Sequence, residues 1–189
     1  MKTKDVIDYS AKFSLFVQFI TGIITFHAFF LTVPNQDRSL TEIVKLETIV
    51  QFIEATFYIW LILSLNKLNN NVVTSRRYID WIITTPIMLF TTIVYMKYKK
   101  YKAYGYNNKL NDFDIKRFYE EEKDTVHKIA LYNFLMLLFG FLGEANIIDR
   151  TYGFILGTIF WIYIMYQIFY GELHKFKKKI NNKSVIFIY

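Results

Sequence analysis

The chain has 189 residues, of which 53% are hydrophobic and 20% aromatic, with no cysteine and a formal charge of +7. The missing cysteines exclude a disulfide framework and thiol chemistry. The basic excess does not point to nucleic acid, because it falls in juxtamembrane clusters such as Lys97-Tyr98-Lys99-Lys100-Tyr101-Lys102 and Lys175-Phe176-Lys177-Lys178-Lys179, which suit anionic headgroups.

Five apolar stretches follow one another: residues 13–33, 46–65, 78–98, 126–148 and 152–173. Each is close to the roughly 20 residues that cross about 30 Å of hydrocarbon. The expected fold class is therefore all-α, a polytopic bundle of five transmembrane helices forming a single membrane domain over residues 1–189. The first stretch is too long for a signal-peptide core and lacks a small-x-small cleavage site, so it is expected to be retained. Sixteen of the 23 basic residues lie in the segments after the first, third and fifth spans, with Lys97 and Lys128 at the adjoining span edges counted among them. Cytoplasmic loops concentrate Lys and Arg, which predicts the N-terminus outside and the C-terminus in the cytoplasm.

In the first span His27 is expected to hydrogen-bond between helices, since no second ligand falls at metal spacing. The second span carries Glu54 and Tyr58, four apart and on one face. Asn69-Asn70-Asn71 marks a turn before the third span, and Asn181-Asn182 another near the end.

The third span holds the densest chemistry: Arg77-Tyr78-Ile79-Asp80-Trp81-Ile82-Ile83-Thr84-Thr85-Pro86. A charged side chain inside hydrocarbon costs several kcal/mol, on the order of the penalty that selects for a relay, pathway or counter-ion. Arg77, Asp80 and Thr84 fall at i, i+3 and i+7, with Trp81 and Thr85 on the adjoining stripe. Beyond it, residues 99–125 read as a solvated, partly helical connection, with docking of a partner as the other reading.

The RYxDWxxTTP pattern at Arg77 to Pro86 resembles the third helix of microbial rhodopsins. That resemblance implies a retinal cofactor, with Asp80 as Schiff-base counter-ion and proton acceptor, Arg77 setting the charge balance of one half-channel, and Trp81 packed on the polyene, with Thr84 and Thr85 beside it. By register Tyr58 matches the tyrosine that bonds the counter-ion cluster; a core aromatic is the other reading. Glu54 resembles the second-helix glutamate of viral rhodopsins, either in conduction or gating or as a carboxyl bridging two helices. In the fourth span Met136 and Gly140 match the family's methionine and glycine over the retinal ring, where a glycine leaves room for a bulky ligand. Gly140 and Gly143 also suit close helix packing. Asn133 stands where pumps carry a carboxylate. In the fifth span Thr158 and Trp161 register with the ring end of the pocket, or with plain packing; Arg150 and Phe169 register as well.

Two departures are informative. Thr91 occupies the position where efficient pumps place a second carboxylate, so proton return is expected to be slow unless another group supplies it. The resemblance also covers only five helices to about Leu173, and none of the five spans carries a lysine at mid-membrane for the imine. Val185-Ile186-Phe187-Ile188-Tyr189 reads as the start of a sixth helix. The expected function is a light-gated cation channel or light-driven proton transport when helices six and seven are supplied, by the intact gene or by a partner chain. The alternative is a retinal-free scaffold or remnant. Homo-oligomerisation is expected of an intact protein, the bilayer is its solvent, and no enzyme chemistry is expected.

Overall fold

The computed structural model describes residues 3–34, 37–64, 70–103 and 114–171. Within them lie five helices, α1 Thr3–Ala28, α2 Arg38–Ser64, α3 Asn70–Ala103, α4 Ile115–Glu144 and α5 Arg150–Met165, with a π-helical turn, Tyr166–Gly171, continuing α5. All five helical segments are long and apolar enough to cross a bilayer. This is the all-α membrane bundle expected.

The helices pack mainly on their sequence neighbours, α1 on α2, α2 on α3, α3 on α4 and α4 on α5. An up-and-down arc results, with cross-helix contacts running in opposite directions along each neighbouring pair. Phe13, Phe16, Phe19, Ile24 and Phe26 on α1, and Phe154, Ile159 and Ile162 on α5, are exposed. Large apolar side chains on an outer surface are what hydrocarbon solvates.

Two apolar clusters hold the arc. At the lysine-rich end Ile43, Ile93, Val94, Ile115, Phe118, Ile129, Ile164 and Ile168 join α2 through α5 and its π turn. At the opposite end Ala11 and Leu61 are fully buried with Ile7, Phe57, Tyr58 and Ile62 around them, joining α1 to α2. Between α4 and α5 the backbones touch. A Cβ on Gly153 would lie 2.8 Å from the Phe139 carbonyl oxygen and 3.0 Å from Gly143 Cα. Small residues at such a crossing are how membrane helices gain contact without a hydrophobic driving force between them.

Several boundaries move relative to the sequence expectation. The first helix ends at Ala28, not near Val33: Phe29, Phe30 and Leu31 close with tight bonds to the carbonyls of Phe26, His27 and Ala28, ahead of Pro34. Proline disfavours helical geometry in the residue before it, which keeps Val33 out of the helix. His27 is exposed in the last turn of α1, and among the described residues no hydrogen bond joins it to another helix. Asn70 and Asn71 open α3 instead of forming a turn; Asn69 lies outside the described residues, as do Asn181-Asn182, Lys175 to Lys179 and Val185 to Tyr189.

At about 1.5 Å per residue, α3 with 34 residues and α4 with 30 run to about 51 and 45 Å. Both therefore project past the hydrocarbon at the lysine-rich end, so the connection expected over 99–125 is partly helical. Asp114 caps α4 by accepting from the Lys116 amide, and Asp149 caps α5 by accepting from Thr151, each at 2.8 Å. That Thr151 bond holds the Asp149 carboxyl below its usual pKa. Asn146 turns the α4–α5 connection in the left-handed region, at φ 55, where asparagine is among the better-tolerated residues.

Candidate functional site: a buried carboxylate beside a polar seam

Four polar side chains on α3 and α4 are withdrawn from the surface: Asp80 is 3% exposed, Thr84 0%, Thr91 2% and Asn133 1%. In a bundle with so many exposed apolar side chains, this inverts the usual preference and marks the polar groups as directed inward.

Asp80 sits at the centre of the site. Its Oδ1 is buried and has no hydrogen-bond partner among the described residues. Thr84 does not supply one, because its hydroxyl donates to the Asp80 backbone carbonyl at 3.1 Å. Arg77 forms no ion pair with it among the described residues, and Tyr58, on the neighbouring helix, donates no hydrogen bond to it. Arg76, the neighbouring cation, lies 5.0 Å from the Trp60 ring centroid instead. A buried carboxylate oxygen left without a donor is expensive, and it matches a site completed by a cationic or proton-donating group.

Around it α3 and α4 are keyed together. Asn133 Nδ2 donates to Thr85 Oγ1 at 2.8 Å, and Thr85 donates on to the Trp81 carbonyl at 2.6 Å. The Tyr78 ring meets Trp81 edge-on at 5.2 Å and Phe141 at 6.0 Å. Its hydroxyl fills the notch over Gly140, where a Cβ would approach to 2.7 Å. The room that glycine leaves is thus occupied by a side chain from α3.

Met136 packs beside the larger apolar cluster. On α5 Thr158 donates to the Phe154 carbonyl at 2.8 Å, and Trp161 is 50% exposed. No hydrogen bond or ring contact joins these two to the Asp80 group among the described residues.

A second polar feature runs through α1, α2 and α3. Gln18 Nε2 donates to Glu54 Oε2 at 2.5 Å, and Thr21 Oγ1 donates to Gln51 Oε1 at 2.9 Å. These two contacts fix the register of the antiparallel pair, and counting along it puts Ser14 level with Tyr58 and Thr25 level with Glu47. Across the other groove Thr91 donates to Glu47. Counting from that contact puts Thr84 level with Glu54, and Asp80 level with Tyr58. Glu47, Gln51, Glu54 and Tyr58 form one stripe of α2, shared between both neighbours.

Glu47, Gln18 and Gln51 escaped the sequence analysis. Glu47 lies at the boundary of an expected span, where a carboxylate is unremarked. The available signal was the i, i+4, i+7 spacing of Glu47, Gln51 and Glu54, which lays three polar groups along one face. The structure also alters the meaning of Thr91: position 91 lacks a carboxylate, yet α2 brings one to it. No group of three or more metal-ligating side chains forms among the described residues.

Membrane-length helices around a buried acid, unpartnered among the described residues, define an integral multi-pass membrane protein with an internal acidic site. The family described as "Bacteriorhodopsin-like protein" matches residues 10–186, and the chain belongs to this family of microbial rhodopsins. It is 27% identical over 99 residues to the green-light absorbing proteorhodopsin of Gamma-proteobacterium EBAC31A08, covering 52% of this chain and 32% of that protein. A protein of the same description from an unknown prokaryotic organism matches equally. The matched segment thus spans about a third of these relatives' length.

Among solved structures, viral rhodopsin OLPVRII superposes with a TM-score of 0.68 at 29% identity, over 86% of this chain and 69% of that one. The blue light-absorbing proteorhodopsin from Med12 superposes with a TM-score of 0.54 at 19% identity, over 89% of this chain and 68% of that one, which supports the fold alone.

Membership implies retinal, and part of the site fits it. The orphaned Asp80 oxygen is suited to a cationic imine, with Trp81 and Thr85 on the next stripe. The five spans, however, carry no mid-membrane lysine to form that imine.

Proposed function

We propose that this chain is the ion-handling part of a light-responsive retinal protein, with Asp80 as its counter-charge and the α1–α2–α3 seam as the route for ions. The observation that carries the reading is the buried Asp80 Oδ1 with no donor. Retinal, when bound, would supply a light-driven isomerisation and a positively charged nitrogen. Asp80 would face that charge, Trp81 and Met136 would contribute apolar walls, and Thr85 and Asn133 would hold α3 against α4.

Cation conduction is favoured over efficient pumping. Neither Asn133 nor Thr91 offers a titrating group on the path that pumps use, whereas Glu47, Gln51 and Glu54 line a hydrogen-bonded stripe along much of α2. Glu47 beside Thr91 is a carboxylate placed to return a proton from the lysine-rich end, which keeps slow proton transport as the second reading. The lysine-rich end faces the cytoplasm in this proposal, by the bias of basic residues. The side of the arc between α1 and α5 is covered by a segment or partner bearing the imine lysine, or by another copy in a homo-oligomer. A retinal-free scaffold is the reading favoured by the missing mid-span lysine alone. The protein is proposed not to be an enzyme.

The test is a light-induced current under voltage clamp, in cells expressing the native gene and supplied with all-trans retinal. A current that reverses sign with the cation gradient supports conduction. One that keeps its sign against the gradient supports pumping, and the absence of both current and pigment rejects the photoreceptor reading.

A further inference from the structure

The lysine-rich end of α3 is gripped from two sides. Tyr98 Oη donates to Asp37 Oδ1 at 2.5 Å, tying α3 to the residue just before α2. One position earlier Lys97 Nζ meets Glu122 Oε1 at 3.3 Å, tying α3 to α4. Consecutive residues of a helix point about 100° apart, so adjacent side chains engage different neighbours. Both contacts are sheltered: Tyr98 is 4% exposed, and the Lys97 and Glu122 side chains 23% and 20%. The pairs Lys12–Asp8 and Arg117–Glu121 differ, being more exposed and each within one helix, the kind that contributes little.

Higher up, α3 is weakened over three successive residues. Pro86 has no amide hydrogen for the helix ladder. Thr84 and Thr85 direct their hydroxyls to the carbonyls of Asp80 and Trp81, back-bonding that loosens and bends helices. Beside this point lies a small apolar cleft between Pro86, Leu89, Phe90 and Ile93 of α3 and Val126 and Ile129 of α4. Between the weak point and the grips sits Thr91, bonded to Glu47.

We propose that residues 86–103 of α3 form a lever hinged at Pro86, and that Tyr98–Asp37 and Lys97–Glu122 are a paired latch holding it closed over the Glu47 end of the polar seam. Releasing both contacts lets the lever swing, separates Thr91 from Glu47 and admits water to that end. The proposal rests on the functional reading only in treating Glu47 as part of the seam; the latch follows from the packing, and its test needs neither retinal nor light.

The chain lacks cysteine, so a single introduced thiol reports local opening. Val94→Cys places one at a fully buried lever position, and Leu61→Cys places a reference at a fully buried site in the opposite cluster. The assay is the alkylation rate by a water-soluble maleimide, with the protein in lipid nanodiscs. Combining Tyr98→Phe with Glu122→Gln is expected to speed labelling of Val94→Cys by about ten-fold, as local opening becomes easier, and to leave Leu61→Cys unchanged. Pro86→Ala added to that variant is expected to return the rate toward the latched value. Lys97→Glu alone is expected to speed labelling, and Lys97→Glu with Glu122→Lys to slow it again. Unchanged labelling at Val94→Cys, or equal acceleration at both sites, would overturn the latch. Should the combined variant fail to fold, Tyr98→Phe alone carries the same test.

Discussion

Gly140→Ala measures whether α3 and α4 are keyed as closely as the site requires. An added Cβ would stand 2.7 Å from Tyr78 Oη and 3.0 Å from Tyr78 Cε1. The ring is confined by Trp81 and Phe141, at 5.2 and 6.0 Å, so it has to move against both. Overpacking of this kind typically costs about 1–3 kcal/mol. Replacing glycine by alanine inside a helix returns up to about 1 kcal/mol, leaving a net loss of about 0–2 kcal/mol. Gly22→Ala is the internal reference, because its Cβ meets nothing within 4 Å, and it should gain where Gly140→Ala loses. The difference between the two, about 1–3 kcal/mol, isolates the Tyr78 contact. It is read from reversible unfolding in mixed micelles, with Tyr78→Leu as the suppressor of Gly140→Ala. Equal stability of Gly22→Ala and Gly140→Ala, or no suppression, would refute the keyed packing.

Gly153→Ala should be the most damaging of the three glycine changes, because its Cβ meets the Phe139 carbonyl oxygen at 2.8 Å and Gly143 Cα at 3.0 Å; backbone has no rotamer to yield, and α4 and α5 must part. Asn133→Leu should change stability by about 1 kcal/mol or less in the same assay, since it removes a bond to Thr85 together with a buried acceptor that has no partner. Glu54→Gln should keep Gln18 paired and preserve folding while altering cation selectivity of the light-induced current; an unchanged selectivity would remove Glu54 from the route. Asp149 has a depressed carboxyl pKa through its bond to the Thr151 amide. Its charged form therefore contributes stability above the ordinary carboxylate range, and that contribution fades as pH falls through the lowered value. Asp149→Asn should flatten that acid limb of the melting curve.

The chemistry of α3 was legible because hydrocarbon makes an acid conspicuous: Asp80 among isoleucines and tryptophan stands out with no structure in hand. The five-helix bundle was equally legible, since span length is set by the bilayer. Helix ends were not, because α4 begins well before its apolar stretch and buries Ile115 and Phe118 against its neighbours, a tertiary effect that hydropathy does not record. Glu47 was missed for a related reason. A carboxylate near a span boundary looks interfacial until the register of α2 against α3 brings it to Thr91. The room over Gly140 was read from size alone, and only packing shows that Tyr78 fills it.

The central claim is that Asp80 is the counter-charge of a retinal pigment, and the most direct measurement is the visible absorption spectrum of the protein expressed from its complete native reading frame with all-trans retinal, compared with Asp80→Asn. The account predicts a visible band that moves to longer wavelength when the carboxylate opposite the charged nitrogen is neutralised. A pigment whose band is indifferent to Asp80→Asn, or no band at all from a folded protein, would contradict it.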